Sequence, residues 1–177
     1  MTVAPLQAES FVPDAANQRR FRDALGCFGT GVTIVTTASA DGPAAITANS
    51  FSSVSLSPPL VLWSIDRHSS RYDCFANTDA YAIHILSTGQ ESLCMELARN
   101  PSLLQELDPA LQTNEHGVPV LDGCLVRFDC TREALYAGGD HVIILGRVQR
   151  TWQSADTDAL AFYRGRTGTF AAGSVTG

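Results

Sequence analysis

The sequence predicts a mainly β fold, an antiparallel barrel with a few short helices at its periphery. Three observations carry this. Runs rich in β-branched and aromatic residues recur at residues 32–38, 46–54, 60–65, 81–86, 124–134 and 140–152. Turn signals separate them: Ala40-Asp41-Gly42, Ser57-Pro58-Pro59 and Gly138-Gly139. Helical spacing of apolar residues is confined to short stretches. Many strands joined by hairpin turns form a barrel readily, because closure removes the unpaired edges that an open sheet leaves.

The elements follow in chain order. Residues 1–17 have no period and read as a loose arm, leaving residues 18–172 as one domain. Phe21, Leu25 and Phe28 recur at helical spacing among Arg19, Arg20, Arg22 and Asp23, a short amphipathic helix closed by Gly29 and Gly31. The first strand, 32–38, turns at Asp41-Gly42 into an extended run through 46–54. Pro58-Pro59 ends that run, since proline lacks the amide a central strand needs. A third strand covers 60–65, and residues 69–77 read as a helix capped by Ser69 or Ser70. Residues 81–86 form a fourth strand. Residues 90–100 read as a helix stopped by Pro101, with broken helix over 103–111. After a loop with His116 and Gly117 come two long strands joined at Gly138-Gly139, the second of which, 140–152, is the last expected.

Composition narrows the function classes. With 177 residues, 45% hydrophobic and 17% charged, the chain suffices for one compact domain. The basic residues are all arginine, and the net charge is −6. Scattered arginines without a basic patch argue against nucleic acid and against an anionic membrane surface. Apolar stretches are far too short for a helical membrane span. The N-terminus shows neither a basic nor an apolar signal region, so a soluble cytoplasmic protein is expected. Cys27, Cys74, Cys94, Cys124 and Cys130 are odd in number and form no C-x-x-C, which suits free thiols. No histidine pairs with them at metal-ligand spacing, so no metal is expected.

Four runs could carry chemistry. Gly26, Gly29 and Gly31 follow a helix and precede a strand, the reverse of the dinucleotide-binding order, which excludes a Rossmann site. The densest polar run is Thr47-Ala48-Asn49-Ser50-Phe51-Ser52-Ser53-Val54-Ser55. Serine and asparagine are poor strand formers, and an unpaired buried hydroxyl costs about 1–3 kcal/mol, so a ligand rich in acceptors would compensate; a strand end facing water is the alternative. Ser64-Ile65-Asp66-Arg67-His68-Ser69-Ser70-Arg71 lies between strand and helix. Its amides and guanidinium groups suit a phosphate, the alternative being simple helix capping. His141, directly after Gly138-Gly139-Asp140, is placed to project into a site or into solvent. Tyr163-Arg164-Gly165-Arg166 could cover a planar ring or hold a phosphate, or be a polar tail. His84, between Ile83 and Ile85, is expected to face solvent or a groove.

Together these runs resemble the flavin reductase-like family, with its FMN-binding split β-barrel. The resemblance rests on the segment from Phe21-Arg22-Asp23-Ala24-Leu25-Gly26 through Thr30-Gly31-Val32-Thr33-Ile34-Val35-Thr36-Thr37. Its most specific part is Thr47-Ala48-Asn49-Ser50-Phe51-Ser52-Ser53-Val54-Ser55-Leu56-Ser57-Pro58-Pro59-Leu60-Val61-Leu62. Weaker echoes are Gly139-Asp140-His141 and Tyr163-Arg164-Gly165. The resemblance implies an antiparallel, Greek-key split barrel with peripheral short α-helices. It implies FAD or FMN as the flavin and NADH, with NADPH the alternative, as the reductant. Thr47, Ala48, Asn49, Ser50, Ser52 and Ser53 become flavin-side residues, with Thr30 and Thr33 contributing backbone. Asp66, Ser69, Ser70 and Arg71 become the phosphate-side group, Tyr163 and Arg164 further cofactor contacts, and His141 the catalytic, nicotinamide-side residue.

The sequence departs from the family pattern at Ala45, commonly Gly, at His84, commonly Asn, and at Leu97-Ala98-Arg99, commonly an aromatic-Ala pair, which makes Arg99 a further candidate. A homodimer and a partner flavin-dependent monooxygenase that receives the reduced flavin are also implied. A flavin-storing module and a small-molecule barrel without redox function are the alternatives; a hydrolase built on Ser50 and His141 lacks any nucleophile-elbow context.

Overall fold

In a computed structural model the chain is described over residues 9–100, 102–107, 111–154 and 158–170. Seven antiparallel strands form the main sheet: β2 (Thr33–Ser39), β3 (Gly42–Ala48), β4 (Ser52–Leu56), β5 (Pro59–Asp66), β6 (Ala80–Ile85), β7 (Val126–Gly138) and β8 (His141–Gln153). Their order is β3-β2-β6-β7-β8-β5-β4. Val35 of β2 and Val61 of β5 lie in distant strands of that sheet, yet both pack into one buried cluster with Trp63, Ile65, Tyr81, Ile83, Val142 and Ile144. The sheet is therefore curled on itself. Among the described residues no ladder joins its two edges, β3 and β4, although they are consecutive in the chain. The barrel is split there rather than closed, as the family resemblance implies and the bare strand pattern does not.

The strands read from β-branched and aromatic runs bury alternate residues. In β5, Val61, Trp63 and Ile65 point into the core, and in β8 Val142 and Ile144 do the same. The reading of 46–54 as one run is corrected: the chain leaves the sheet after Ala48 and re-enters at Ser52. Three strands were not foreseen. β9 (Ala159–Tyr163) and β10 (Arg166–Phe170) form a hairpin that pairs with the short β1 (Thr30–Gly31) in a second sheet, order β1-β9-β10. Its two-residue turn, Arg164-Gly165, has φ of 49° and 76°, which matches the hand of turn that suits strand twist.

The helices are shorter than expected. α1 (Gln18–Leu25) ends at Gly26 and buries none of its residues, so Phe21 and Leu25 stay exposed. The helix expected over 69–77 is the single turn α2 (Tyr72–Ala76). Ser69 acts ahead of it, its Oγ accepting from the Arg71 amide at 3.2 Å and its carbonyl from the Tyr72 amide at 2.9 Å. α3 (Glu91–Arg99) follows a capping box in which the Ser87 amide donates to Gln90 Oε1 at 3.2 Å. Cys94 and Leu97 of α3, with Leu104 of α4 (Leu103–Leu107), cover Ile34, Ala45 and Leu160 in a second core on the outside of β2 and β3. Pro101, residues 1–8 of the expected arm, residues 108–110 of the expected broken helix and residues 171–172 of the expected domain lie outside the described residues. The five cysteines are free thiols, Cys94 and Cys130 buried and Cys27 exposed.

His84 faces neither solvent nor a groove. The loop after α4 covers the outer face of β6, and the ring is fully buried. Its Nε2 accepts from the Leu121 amide at 3.1 Å, which fixes the tautomer: Nδ1–H donates to the Ile34 carbonyl at 3.1 Å. Burial pushes the pKa down from 6.5 to about 4. The folded state therefore releases a proton that the unfolded chain binds below about pH 6.5. Stability from this group is complete above that pH and falls as the pH drops towards 4, by about 3 kcal/mol in all. Urea unfolding at pH 7 and pH 4.5, compared between the wild type and His84→Asn, should show a steeper loss in the wild type; equal losses would mean the ring is not held neutral.

Candidate active site

The predicted hydroxyl run does not act as one unit. Thr47, Ala48 and Asn49, at the point where β3 leaves the sheet, line one side of a slot of about 200 Å³. Cys94, Met95 and Ala98 of α3 form a second side, and Phe162 and Thr167 of the β9–β10 hairpin a third. The Thr33 hydroxyl is buried and donates to the Ala48 carbonyl at 2.8 Å, so its part is to pin the end of β3. Ser50 is a staple: its Oγ accepts from the Ser64 amide at 2.9 Å and donates to the Ser64 carbonyl at 3.2 Å, holding the β3–β4 connection against β5. Ser52 and Ser53 are exposed on β4, the Ser52 hydroxyl donating to the Ser53 carbonyl at 3.2 Å. Among the described residues Thr30 leaves its buried Oγ1 without a hydrogen-bond partner, directly across the ladder from Phe162.

The second run lies along the same end of the barrel. Asp66 is two residues beyond Ser64 on β5 and is the cross-strand partner of His141 on β8. Its carboxylate accepts from the His68 amide at 2.8 Å and meets His68 Nδ1 at 3.1 Å. The His68 amide, followed by the imidazoles of His68 and His141, holds Asp66 below the usual carboxylate range. Asp140 is held low by His141, whose Nδ1 it meets at 2.8 Å, so Nε2 is the ring atom left free. Ser70 is exposed. Arg71 reaches across to α3, its Nη2 donating to the Leu97 carbonyl at 3.1 Å, one residue before Ala98 in the slot wall. Burial lowers its pKa. Arg99 ends α3, exposed. Tyr163 and Arg164 sit at the hairpin turn, where the Arg164 guanidinium covers the Tyr163 ring at 5.4 Å and donates to Cys27 Sγ at 3.4 Å.

The structure thus gathers Thr47, Ala48 and Asn49 at one slot, with Asp66 and His141 paired across neighbouring strands. Met95, Ala98, Phe162 and Thr167 were missed. They reach the slot only because α3 and an unforeseen hairpin dock there. The available signal was Leu160 and Phe162 standing two apart in a short apolar run beside a glycine turn.

The chain belongs to the flavin reductase like domain family, which matches residues 25–171. It is 48% identical over 160 residues to the FMN reductase (NADH) SmoA of Agrobacterium fabrum, covering 90% of each chain. It is 44% identical over 154 residues to the reductase component of a flavin-dependent trigonelline monooxygenase of Acinetobacter baylyi, spanning 86% of this chain and 49% of that longer one. Among solved structures, the Streptomyces globisporus NADH:FAD oxidoreductase SgcE6, in complex with NAD and FAD fragments, matches with a TM-score of 0.82 at 31% identity over 93% of this chain and 99% of that one.

The slot fits a flavin ring on its own chemistry. An isoalloxazine has two apolar faces and an edge of acceptors and one N–H. Ala48, Met95, Ala98 and Phe162 offer apolar walls, while Thr47, Asn49 and Thr167 offer hydroxyl and amide groups at the rim. The orphaned Thr30 hydroxyl adds a donor beside Phe162.

Proposed function

We propose that this chain is an NADH-dependent flavin reductase that accepts FAD or FMN and releases the reduced flavin to a separate flavin-dependent monooxygenase. The slot formed by the end of β3, α3 and the β9–β10 hairpin carries this reading, because its walls and rim suit the ring and leave an open side towards solvent. The bound pair supplies the chemistry, hydride transfer from nicotinamide C4 to flavin N5, which needs no acid or base from the protein. The chain's residues bind and orient. Thr47 and Asn49 hold the edge of the ring, and Met95 and Ala98 exclude water from one face. Ser50 keeps the loop that carries Asn49 in place through Ser64. Arg71 sets the end of α3. Consumption of NADH and NADPH, measured with FAD, FMN and riboflavin in turn, tests the assignment; no turnover with any flavin would overturn it.

His141 is the nicotinamide-side residue in this reading. Asp140 accepts from Nδ1, which leaves Nε2 free to meet a substrate. His141→Ala is expected to raise the KM for NADH about 10-fold while flavin affinity changes less than 2-fold, since one hydrogen bond to a substrate is worth roughly 1–2 kcal/mol. Steady-state kinetics and flavin fluorescence titration read the two separately, and an unchanged NADH dependence would remove the role.

The reading also includes a homodimer working in the cytoplasm. Leu60 and Leu62 of β5 and Ile143 and Leu145 of β8 lie on the barrel's outer face and are only partly covered by their own chain. Leu62 pairs with Leu145, and Ile143 with the exposed Tyr136, so they form one apolar patch. A second copy would cover it. Sedimentation analysis should return twice the chain mass.

A further inference from the structure

The face of α3 that lines the slot starts one turn before the slot does. Cys94, Met95 and Ala98 form the wall, and Glu91, three and four residues ahead of the first two, stands on the same face in the first turn of the helix. Opposite, Thr167 of β10 lines the slot beside Phe162, its ladder partner on β9. The Thr167 hydroxyl donates to the Glu91 carboxylate. Among the described residues β10 has no ladder partner but β9, so this side-chain contact is what joins the outer strand of the hairpin to α3.

The contact fixes the polarity of one corner of the slot. A hydroxyl has one proton and two acceptor lone pairs, and a carboxylate only accepts. With its proton committed to Glu91, Thr167 offers a ligand an acceptor and no donor. The other polar groups at the rim are not constrained in this way. The Thr47 hydroxyl can turn to donate or to accept, and Asn49 carries both an amide donor and a carbonyl acceptor. The dipole of α3 favours a carboxylate in its first turn whatever it touches, which accounts for Glu91 but not for its choice of partner. An acceptor held at one rim position selects the edge of a ring that carries an N–H. Oxidised isoalloxazine has a single one, the imide N3–H between two carbonyls; N1 and N5 accept, and N10 bears the side chain.

We propose that Glu91 is a positioning residue: it orients the Thr167 hydroxyl so that the slot reads the imide N–H of the flavin, which sets the way round in which the ring enters. Thr167 touches the ring and Glu91 acts through it. The inference rests on the flavin-reductase reading of the slot. It puts this selection in the ring itself, which riboflavin, FMN and FAD share.

The test is a ratio of two affinities, riboflavin against N3-methylriboflavin, each measured by fluorescence titration into the full chain. The methyl group removes the one N–H and leaves the rest of the ring. The wild type is expected to prefer riboflavin about 10-fold, as loss of one hydrogen bond to an acceptor left without its partner requires. Thr167→Val keeps the shape and removes the acceptor, and should bring the ratio to about 2 or less, while Thr167→Ser should retain it. A ratio that arose only from crowding by the methyl group would survive in Thr167→Val. Glu91→Ala frees the hydroxyl proton and should lower the ratio to about 3, and Glu91→Gln, whose amide carbonyl still accepts from Thr167, should restore it. Damage to the fold would weaken both flavins together and leave their ratio in place. A wild-type ratio near 1, or a ratio unchanged in Thr167→Val or in Glu91→Ala, overturns the proposal. If NADH reduces both flavins with equal KM, the reductase reading stands and the proposal falls; if neither flavin is bound or reduced, the reading on which it rests fails.

Discussion

Replacing Ala98 with tryptophan is expected to reduce kcat/KM for flavin by at least about 100-fold, a loss near 3 kcal/mol of transition-state stabilisation, while the melting temperature moves by only about 2 °C. Ala98 is exposed on the described chain, next to the C-terminal residue of α3, and its methyl group forms part of the slot wall. An indole built from that position enters a space of about 200 Å³ and occupies the volume that the ring requires. It has no buried neighbour to displace, so the folding cost is chiefly the lower helix propensity of tryptophan, about 0.5 kcal/mol. Activity and stability should therefore separate, which is unusual for a substitution of this size. Flavin fluorescence titration and thermal denaturation of the same preparation check both halves. Full activity in a correctly folded Ala98→Trp protein would mean that the ring binds elsewhere.

Strands that bury a single face are the part of this fold most legible in the sequence. The run Leu60 to Ile65 is legible as an apolar, β-branched and aromatic stretch bounded by Pro58-Pro59, and the fold buries Val61, Trp63 and Ile65 while leaving Leu60 and Leu62 partly covered. Such a strand must find a core for its buried face. The β9–β10 hairpin escapes this reasoning. Leu160 and Ala161 are both buried, one side chain on each face, so the strand has no alternation to read. Its turn is Arg164-Gly165 rather than an asparagine or aspartate pair.

The hydroxyl run shows a second limit. Seen as one strand, Thr47 to Ser55 supplies a row of ligand groups. In the fold the chain breaks at residues 49–51 and the hydroxyls diverge. Thr47 forms the slot rim, Ser50 staples the connection to β5, and Ser53 lies on the open edge. Met95, Ala98 and Phe162 of the slot depend on elements distant in sequence; no local pattern marks Met95 or Ala98, and Phe162 is marked only by its spacing from Leu160. His84 misleads in the opposite direction. A polar residue on the outward face of a strand reads as exposed, but the loop that carries Leu121 folds over it, so that Leu121 and Ile34 between them engage both ring nitrogens.

Gly146→Ala is expected to destabilise the fold by about 3 kcal/mol, on the order of 10 °C in melting temperature, through one clash in the barrel core. A Cβ at this position would overlap the Tyr81 hydroxyl oxygen and stand 2.9 Å from Cζ. Tyr81 cannot turn away. It is 1% exposed, edge-on to Trp63 at 6.0 Å between ring centres, and Trp63 is in turn edge-on to Phe75 at 5.2 Å. The strands must separate instead, and β8 carries His141 at its start, opposite Asp66. Loss of stability should therefore come with loss of NADH use.

The hydroxyl itself contributes little. Tyr81 Oη and the nearby Trp63 Nε1 are both buried without a hydrogen bond of adequate geometry, and burial pushes the phenol's pKa up. Tyr81→Phe alone should then be neutral or stabilising by up to about 1 kcal/mol. The double variant Gly146→Ala with Tyr81→Phe removes the overlapping atom and should recover about 2 kcal/mol relative to Gly146→Ala, a coupling well above the error of chemical unfolding. If the double variant is no more stable than the single one, the glycine is required by the aromatic ring itself, whose Cζ would still stand 2.9 Å from the new Cβ, and not by the hydroxyl.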